Sequence, residues 1–328
     1  MKAIQYTTGQ GPEGLYLGDY PDPQPTAEEL LVEVHATALN RADLLQCAGK
    51  YPPPPGASPL LGLEVAGTVV GWGPAVQGFT EGERVCGLLA GGGYAERVVL
   101  PASLAMRIPQ NLSFTEAAAI PEVFLTAFQA LYWLAKLRPG ERILIHAGAS
   151  GVGTAAIQLA QFIGAKQIIV SASAPKHEFC LKLGAHATID YQNEDFAARV
   201  AELTAGQGVD VLIDFVGGPN FVPNLEVLAM DGRLVMLAFL GGTKVEQLKL
   251  LPILRKRLHI MGSTLRNRPL AYKAQLTADF QRHCWAAFLD GRLRPVIDRV
   301  YPWEEVAEAH RYMAANKNRG KIVLKVKA

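Results

Sequence analysis

From Arg142 to Leu265 the chain repeats one pattern: a short apolar run, a stretch with helical spacing, then another apolar run. The runs RILIH, QIIVSAS, ATID, VDVLIDFV, RLVMLAFL and HIMGSTL are apolar throughout rather than alternating. A strand with one wet face alternates, whereas a strand covered on both faces does not. Helical spacing falls between the runs, at 152–163, 176–183, 196–203, 221–229 and 250–257. The pattern therefore predicts an α/β fold, with a parallel sheet wrapped by helices.

The rhythm is absent on either side. Residues 1–110 read as mostly β, with strands at 30–36, 62–71 and 93–100 punctuated by Gly and Pro. GKYPPPPGASP is a stiff loop that holds no helix. Ser113-Phe-Thr-Glu116 has capping-box spacing, Pro121 should break or kink the helix that follows, and 123–137 reads as a buried helix. After Leu265 come a long helix at 271–289, PVIDRVYP, a helix with Val306, Ala309, His310 and Met313 on one face, and the run KIVLKV. That last strand has no successor and can return to the N-terminal β region. The chain has 328 residues, more than one hydrophobic core usually supports. The expected division is one domain from 1–121 and 266–328, with 122–265 inserted as the other.

Composition excludes several classes. Hydrophobic residues make up 49% and charged residues 19%, which is globular rather than disordered. The net charge of +2 argues against a nucleic-acid partner, and the one basic cluster, Arg255-Lys256-Arg257, reads as a helix end. Cys47, Cys86, Cys180 and Cys284 form no CxxC pair, and no two of the seven histidines have helical metal spacing, so no metal is expected. No signal-peptide core and no membrane-length apolar run are visible, so a cytoplasmic protein is expected. No serine stands in a nucleophile elbow, so acyl-enzyme chemistry has no support.

HAGASGVG, at 146–153, joins the first apolar run to the first helix. Gly148, Gly151 and Gly153 give the spacing G-x-x-G-x-G. Glycines let backbone approach a diphosphate, and the helix opening at Val152 aims its N–H groups and dipole at it. Ser150 can add a hydroxyl. Glycine also serves purely steric turns, but after the first strand of an αβ series the dinucleotide reading leads. An NAD site usually has a carboxylate near the end of the second strand. Here Ser171, Ser173 and Lys176 stand there, and no acid precedes Glu178. These residues suit a 2′-phosphate and point to NADPH. Tyr191 either lies against the adenine or is a surface tyrosine.

Several blocks resemble the medium-chain dehydrogenase/reductase superfamily. They are PLLGLEVAGTVVGWG (59–73), GERILIHAGASGVGTAAIQLAQFIGA (140–165) and NRGKIVLKV (318–326). The resemblance spans the chain and implies a GroES-like β-rich catalytic domain built from both chain ends, with an inserted Rossmann domain. In the alcohol dehydrogenase branch a catalytic zinc is held by a cysteine where this chain has Asn40, and by a histidine in a Gly-His-Glu triplet that here reads Gly62-Leu63-Glu64. Leucine is no ligand. ALNRADLLQCAGKYPPPPGA (38–57), IPEVFLTAFQAL (120–131) and YMAANKNRGKIVL (312–324) are instead similar to the zinc-free quinone oxidoreductases, which include zeta-crystallin, and above all to the tumour-suppressor-induced group. That group usually has Arg where this chain has Cys47, which leaves Asp43 without an expected ion-pair partner and puts the order of the 43–51 loop in question.

The resemblance implies an NADPH-dependent quinone reductase that needs no metal, because a quinone becomes aromatic on accepting hydride. Tyr51 leads as the residue over a flat acceptor; Asn40 and Asp43 either meet the substrate carbonyl or form a turn. Phe124 reads as core. Phe239, Leu240 and Gly241, at a strand's C-terminal end, are expected at the nicotinamide. Thr126 is similar to a family residue near the nicotinamide carboxamide, with a bond to its own helix backbone as the rival. Asn316 is similar to a family cofactor contact, although its position alone reads as a helix C-cap. Ser263 and Leu265 complete the expected cofactor set. The alternatives are an enone or enoyl reductase and, in another class, a non-catalytic nucleotide-binding or RNA-binding protein. HIMGSTL, as an apolar sheet edge, suggests a homodimer.

Overall fold

The structure is a computed structural model that describes residues 1–327. The chain opens with the antiparallel pair β1 (Lys2–Tyr6) and β2 (Leu15–Asp19). There follow β3 (Glu29–Ala38), α1 (Arg41–Cys47), β4 (Glu64–Trp72), β5 (Arg84–Leu88), β6 (Arg97–Pro101), β7 (Ala105–Arg107), α2 (Phe114–Ala118) and α3 (Pro121–Phe128). Pro121 separates α2 from α3 and stands as the first residue of α3, where its missing N–H costs nothing. The apolar stretch after it continues from α3 into one wider helical turn, Gln129–Leu134. α1 was not expected from the sequence. It is short, and its start depends on Asp43, whose carboxylate accepts a hydrogen bond from the Asn40 N–H at 2.7 Å. No helix forms in the proline loop that follows.

The repeating region gives β8 (Arg142–Ile145), α4 (Gly151–Ile163), β9 (Gln167–Ala172), α5 (His177–Leu183), β10 (Ala187–Asp190), α6 (Phe196–Leu203), β11 (Val209–Asp214), α7 (Gly218–Val227), β12 (Leu228–Met236), α8 (Leu251–Arg255) and β13 (His259–Gly262). All six strands are parallel, in the order β10-β9-β8-β11-β12-β13. β8 therefore lies at the centre, between β9 and β11, and the strand order reverses beside it. In open α/β sheets that reversal is where ligands bind. Leu144, Ile169, Ile189, Leu212 and Leu234 fill this core and are fully buried, each contributing ~1.5–3 kcal/mol. β12 ends at Met236, so Phe239–Gly241 lie past the strand rather than in it.

The chain ends with α9 (Leu270–Leu289), β14 (Ile297–Pro302), α10 (Val306–Ala314) and β15 (Lys321–Lys325). β15 returns antiparallel to β3, with Val323 opposite Ala38. The second sheet runs β14-β15-β3-β4-β5-β7, with β6 paired to β3. Val306, Ala309 and Met313 of α10 pack with Ile4, Leu39 and Ile322. Two compact units result: Met1–Leu125 with the chain from Leu265 onward, and Thr126–Thr264. The fold is α/β, with a β-rich unit built from both chain ends and a doubly wound parallel sheet inserted in it.

Candidate active site

In the parallel-sheet unit the glycine turn follows β8 and α4 begins at Gly151. A Cβ on Gly148 would stand 2.6 Å from Val170 Cβ, and one on Gly153 would stand 2.4 Å from the Ala147 carbonyl oxygen. Both contacts are too short for any side chain, so the backbone itself is the floor of the turn. Gly153 thus lets α4 approach the turn's own carbonyls. Ser150 caps α4 by accepting the Gly153 N–H at 3.0 Å. Thr154 N bonds Ser150 O. The N–H groups of Gly151 and Val152 find no acceptor among the described residues. Two bare amides at the positive end of a 13-residue helix form a ready anion cradle.

The residues expected at a 2′-phosphate divide. Ser171 is 2% exposed, and its hydroxyl lies 2.8 Å from His146 Nδ1. The expectation for Ser171 is corrected: it is an interior residue of β9, taken up by the buried histidine. His146 Nε2 in turn lies 2.8 Å from Asn224 Oδ1. Burial keeps this imidazole neutral by lowering its pKa, against the pull of Asp214. Ser173 and Lys176 lie beyond the strand, in the turn leading to α5, both partly exposed. Tyr191 is 55% exposed just past β10. Phe239 and Leu240 are half exposed, and the Leu240 and Gly241 amides bond Phe215 and Val216. The Ser263 hydroxyl donates to Gln129 Oε1 at 2.8 Å. The Thr126 hydroxyl makes no hydrogen bond to its own helix backbone among the described residues.

The β-rich unit holds a buried polar cluster that local sequence does not announce. Glu64, at the start of β4, is fully buried. Its carboxylate accepts from Lys321 Nζ at 2.7 Å, from Asn40 Nδ2 at 2.9 Å and from the Glu122 N–H at 2.8 Å. Lys321 also donates to Leu39 O and Asn40 Oδ1, which uses all three of its ammonium hydrogens. Asn40 and Asp43 are therefore corrected as substrate ligands. The Asn40 amide is spent on Ala38, Glu64 and Lys321, and Asp43 is 1% exposed. The Asp43 carboxylate accepts from Asn40 N, Gly62 N and the Tyr94 hydroxyl, and no arginine is needed to order α1. Burial pushes the Asp43 carboxyl up to about 6. Cys47 is buried, with its thiol pushed up to about 12 by the same desolvation, so it is inert.

Tyr51 stays half-buried, and its hydroxyl has no hydrogen-bond partner among the described residues. The Arg266 guanidinium covers its ring at 5.3 Å and bonds Gln46 Oε1 at 2.7 Å and Ala90 O at 2.8 Å. Burial and the nearby Glu122 raise the phenol's pKa above its ordinary value. Phe124 is core, 5.0 Å edge-to-face from Phe288. Leu265 is 5% exposed and presents no side-chain polar group. Asn316 follows α10 with φ +54, the left-handed conformation of a residue after a helix end, and its amide oxygen accepts from Arg41 at 2.5 Å. Arg266, Lys321 and Glu122 were missed in the sequence. The available signal was a charge inside an apolar stretch, in GKIVL and IPEVFL, which has to find a partner on folding.

A catalytic zinc does not fit these residues. Asn40 and Leu63 replace the cysteine and histidine, and the carboxylate of Glu64 is already shared by an ammonium and two N–H groups. Among the described residues no other cluster of His, Cys, Asp and Glu could hold a metal. Two residues of the basic cluster are engaged: Lys256 Nζ donates to the Leu225, Glu226 and Leu228 carbonyls at the end of α7, and Arg257 pairs with Asp231. No helix among the described residues is long and apolar enough to cross a membrane.

Residues 26–110 match the alcohol dehydrogenase GroES-like domain family, and residues 151–281 match the zinc-binding dehydrogenase family. A quinone oxidoreductase-like protein 2 homolog from Nematostella vectensis is 33% identical over 91% of this chain and 82% of its own length. Among solved structures, the mycobacterial Rv1454c complexed with NADPH has a TM-score of 0.89 at 30% identity, covering 99% of this chain and 100% of its own. An NAD-dependent alcohol dehydrogenase scores 0.88 at 33% identity, covering both chains in full. The CurK enoyl reductase scores 0.88 at 30% identity, covering 99% of each chain.

Proposed function

The chain belongs to the medium-chain dehydrogenase/reductase superfamily, and on that premise we propose that it is an NADPH-dependent reductase that delivers hydride to a quinone without a metal. The observation that carries this reading is Tyr51: a half-buried aromatic ring, covered by a guanidinium, with an unpaired hydroxyl able to donate to a quinone oxygen.

A bound reduced nicotinamide supplies the hydride. The protein supplies position. The bare amides of Gly151 and Val152 receive the diphosphate, and Gly148 and Gly153 keep the approach clear. Ser173 and Lys176 favour a 2′-phosphate, and Ser171 no longer contributes. The relatives divide on this point, since one was solved with NADPH and another is NAD-dependent. Lys321 holds Asn40 and Glu64 in place but has no hydrogen left to polarise a substrate.

The second reading is reduction of an enone or enoyl group, favoured by the likeness to an enoyl reductase. A nucleic-acid role loses support because Lys256 and Arg257 are bonded within the protein. β13 is an edge strand of the parallel sheet, and pairing there with a second copy would give the homodimer. A cytoplasmic setting agrees with four buried cysteines, none of them in a disulfide among the described residues. The test is steady-state reduction of ortho- and para-quinones with NADPH and, separately, NADH. Turnover with NADPH and a lower KM than with NADH is expected; no turnover of any quinone sinks the proposal.

A further inference from the structure

His146 closes the run RILIH directly before the glycine turn, and it is fully buried. Both of its ring nitrogens are taken up. Nδ1 lies 2.8 Å from the Ser171 hydroxyl on β9, and Nε2 lies 2.8 Å from the Asn224 side chain on α7. Ser171 holds the turn at a second point, because its carbonyl accepts the Gly148 N–H at 2.9 Å. Between the two held residues stands Ala147 with φ +50, a left-handed conformation that a residue with a Cβ keeps only where its surroundings fix it. Gly148, Gly151 and Gly153 have no side chains with which to hold the turn, so its neighbours must.

The contact with Asn224 leads further. α7 begins at Gly218, which donates to the Gly242 carbonyl at 2.8 Å. Leu240 and Gly241 donate to the Phe215 carbonyl at 3.0 Å and the Val216 carbonyl at 2.8 Å, just ahead of that helix. The path from the glycine turn to Gly241 is thus made of hydrogen bonds and one helix, all within the parallel-sheet unit. Stability does not account for it. Asn224 is fully buried, its amide nitrogen has no partner, and His146 is the one hydrogen-bond partner of its side chain among the described residues. Burying a half-paired amide costs free energy that an apolar pair of similar size avoids.

We propose that His146 is a positioning residue of the cofactor site, which fixes the turn at Ala147 and couples it through Asn224 and α7 to the segment 239–242. The inference rests on the reading of the chain as a nicotinamide-dependent reductase, in which the turn receives the diphosphate and Phe239–Gly241 meet the nicotinamide. His146 has no exposed face and touches neither group. It acts through the backbone that does.

The experiment titrates the cofactor-free protein by calorimetry with NADPH and with 2′-phospho-ADP-ribose, which carries the diphosphate but no nicotinamide. NADH and ADP-ribose are run in parallel. The variants are His146→Leu, Asn224→Leu, their double, and Phe196→Leu, whose ring meets the imidazole edge-on at 5.0 Å without a hydrogen bond. His146→Leu is expected to weaken both ligands by about tenfold or more. Asn224→Leu cuts only the path through α7, so it should weaken NADPH about tenfold and the nicotinamide-free ligand less than about threefold. The double variant should melt no lower than either single one, yet bind NADPH no better than His146→Leu. Phe196→Leu should lower the melting temperature and keep both affinities. Affinities in Asn224→Leu and the double variant that match those of Phe196→Leu overturn the proposal, and so do equal losses of the two ligands in Asn224→Leu. These variants decide the matter even where His146→Leu alone does not fold, and either result leaves the nicotinamide reading standing. A wild type that binds neither NADPH nor NADH removes that reading together with the proposal.

Discussion

The guanidinium of Arg266 lies 5.3 Å from the centre of the Tyr51 ring while the same group bonds Gln46 of α1 and the Ala90 carbonyl. One side chain therefore ties the proline loop, the first helix and the β5–β6 connection together. Lysine cannot replace a planar fork with five donors. Arg266→Lys is expected to raise the quinone KM by about tenfold and leave NADPH affinity unchanged, with stability lower by ~1–3 kcal/mol from the acceptors left unpaired. Steady-state kinetics and a denaturant titration check both parts; an unchanged KM would remove Arg266 from the ordering of Tyr51.

Lys321 and Glu64 are 3% and 0% exposed at the side chain and 2.7 Å apart. Removing one partner strands the other charge in the interior. Lys321→Met should cost ~3–5 kcal/mol, and adding Glu64→Gln should recover part of that loss. Equilibrium urea unfolding of the two variants measures it; a double variant no more stable than the single one contradicts the pairing.

The Gly153 position leaves only 2.4 Å between a new Cβ and the Ala147 carbonyl. Gly153→Ala must therefore shift the turn. NADPH affinity is expected to fall by about tenfold or more, with the circular dichroism of the sheet and helices unchanged. Cofactor fluorescence titration checks this, and undiminished affinity would move the diphosphate away from this turn.

Lys176 and Ser171 separate the two views of cofactor choice. Lys176→Ala should weaken NADPH by about tenfold while changing NADH little, as loss of one phosphate contact would. Ser171→Ala should leave the NADPH to NADH preference unchanged and lower the melting temperature, because its hydroxyl serves buried His146. Paired titrations with both cofactors decide between them.

Burial raises the Glu122 carboxyl from 4.5 to about 8 and the Asp43 carboxyl from 3.8 to about 6. Between those limits the folded protein holds protons that the unfolded chain has already released. Their contribution to stability is full below pH 4 and is lost as pH rises through 6 for Asp43 and 8 for Glu122. Glu122→Gln carries no such loss, so its melting temperature should gain on wild type as pH rises from 5 to 9. A constant difference across that range would show that Glu122 titrates normally.

The apolar runs from Arg142 onward carry their own burial, so the parallel sheet, its glycine turn and the helix after it were readable as local pattern. The missing successor to KIVLKV likewise foretold a return to the first β region, where β15 pairs with β3. Boundaries were less secure: β12 stops four residues before Leu240, and α1 depends on a cap rather than on periodicity. Side-chain roles departed furthest. Ser171 looked polar and therefore available, yet β9 turns it toward His146, 25 residues earlier in the chain. Asn40 and Asp43 looked like turn residues open to substrate, yet Lys321, Glu64 and Tyr94 consume them from distant parts of the chain.

What the sequence determined alone is which segments had to be covered on both faces, and where backbone had to pass without a side chain. Only the tertiary structure decided which carboxyl acquired a cation and which was left without one. Hydrophobic period is a property of neighbours along the chain, whereas desolvation and ion pairing depend on neighbours in space.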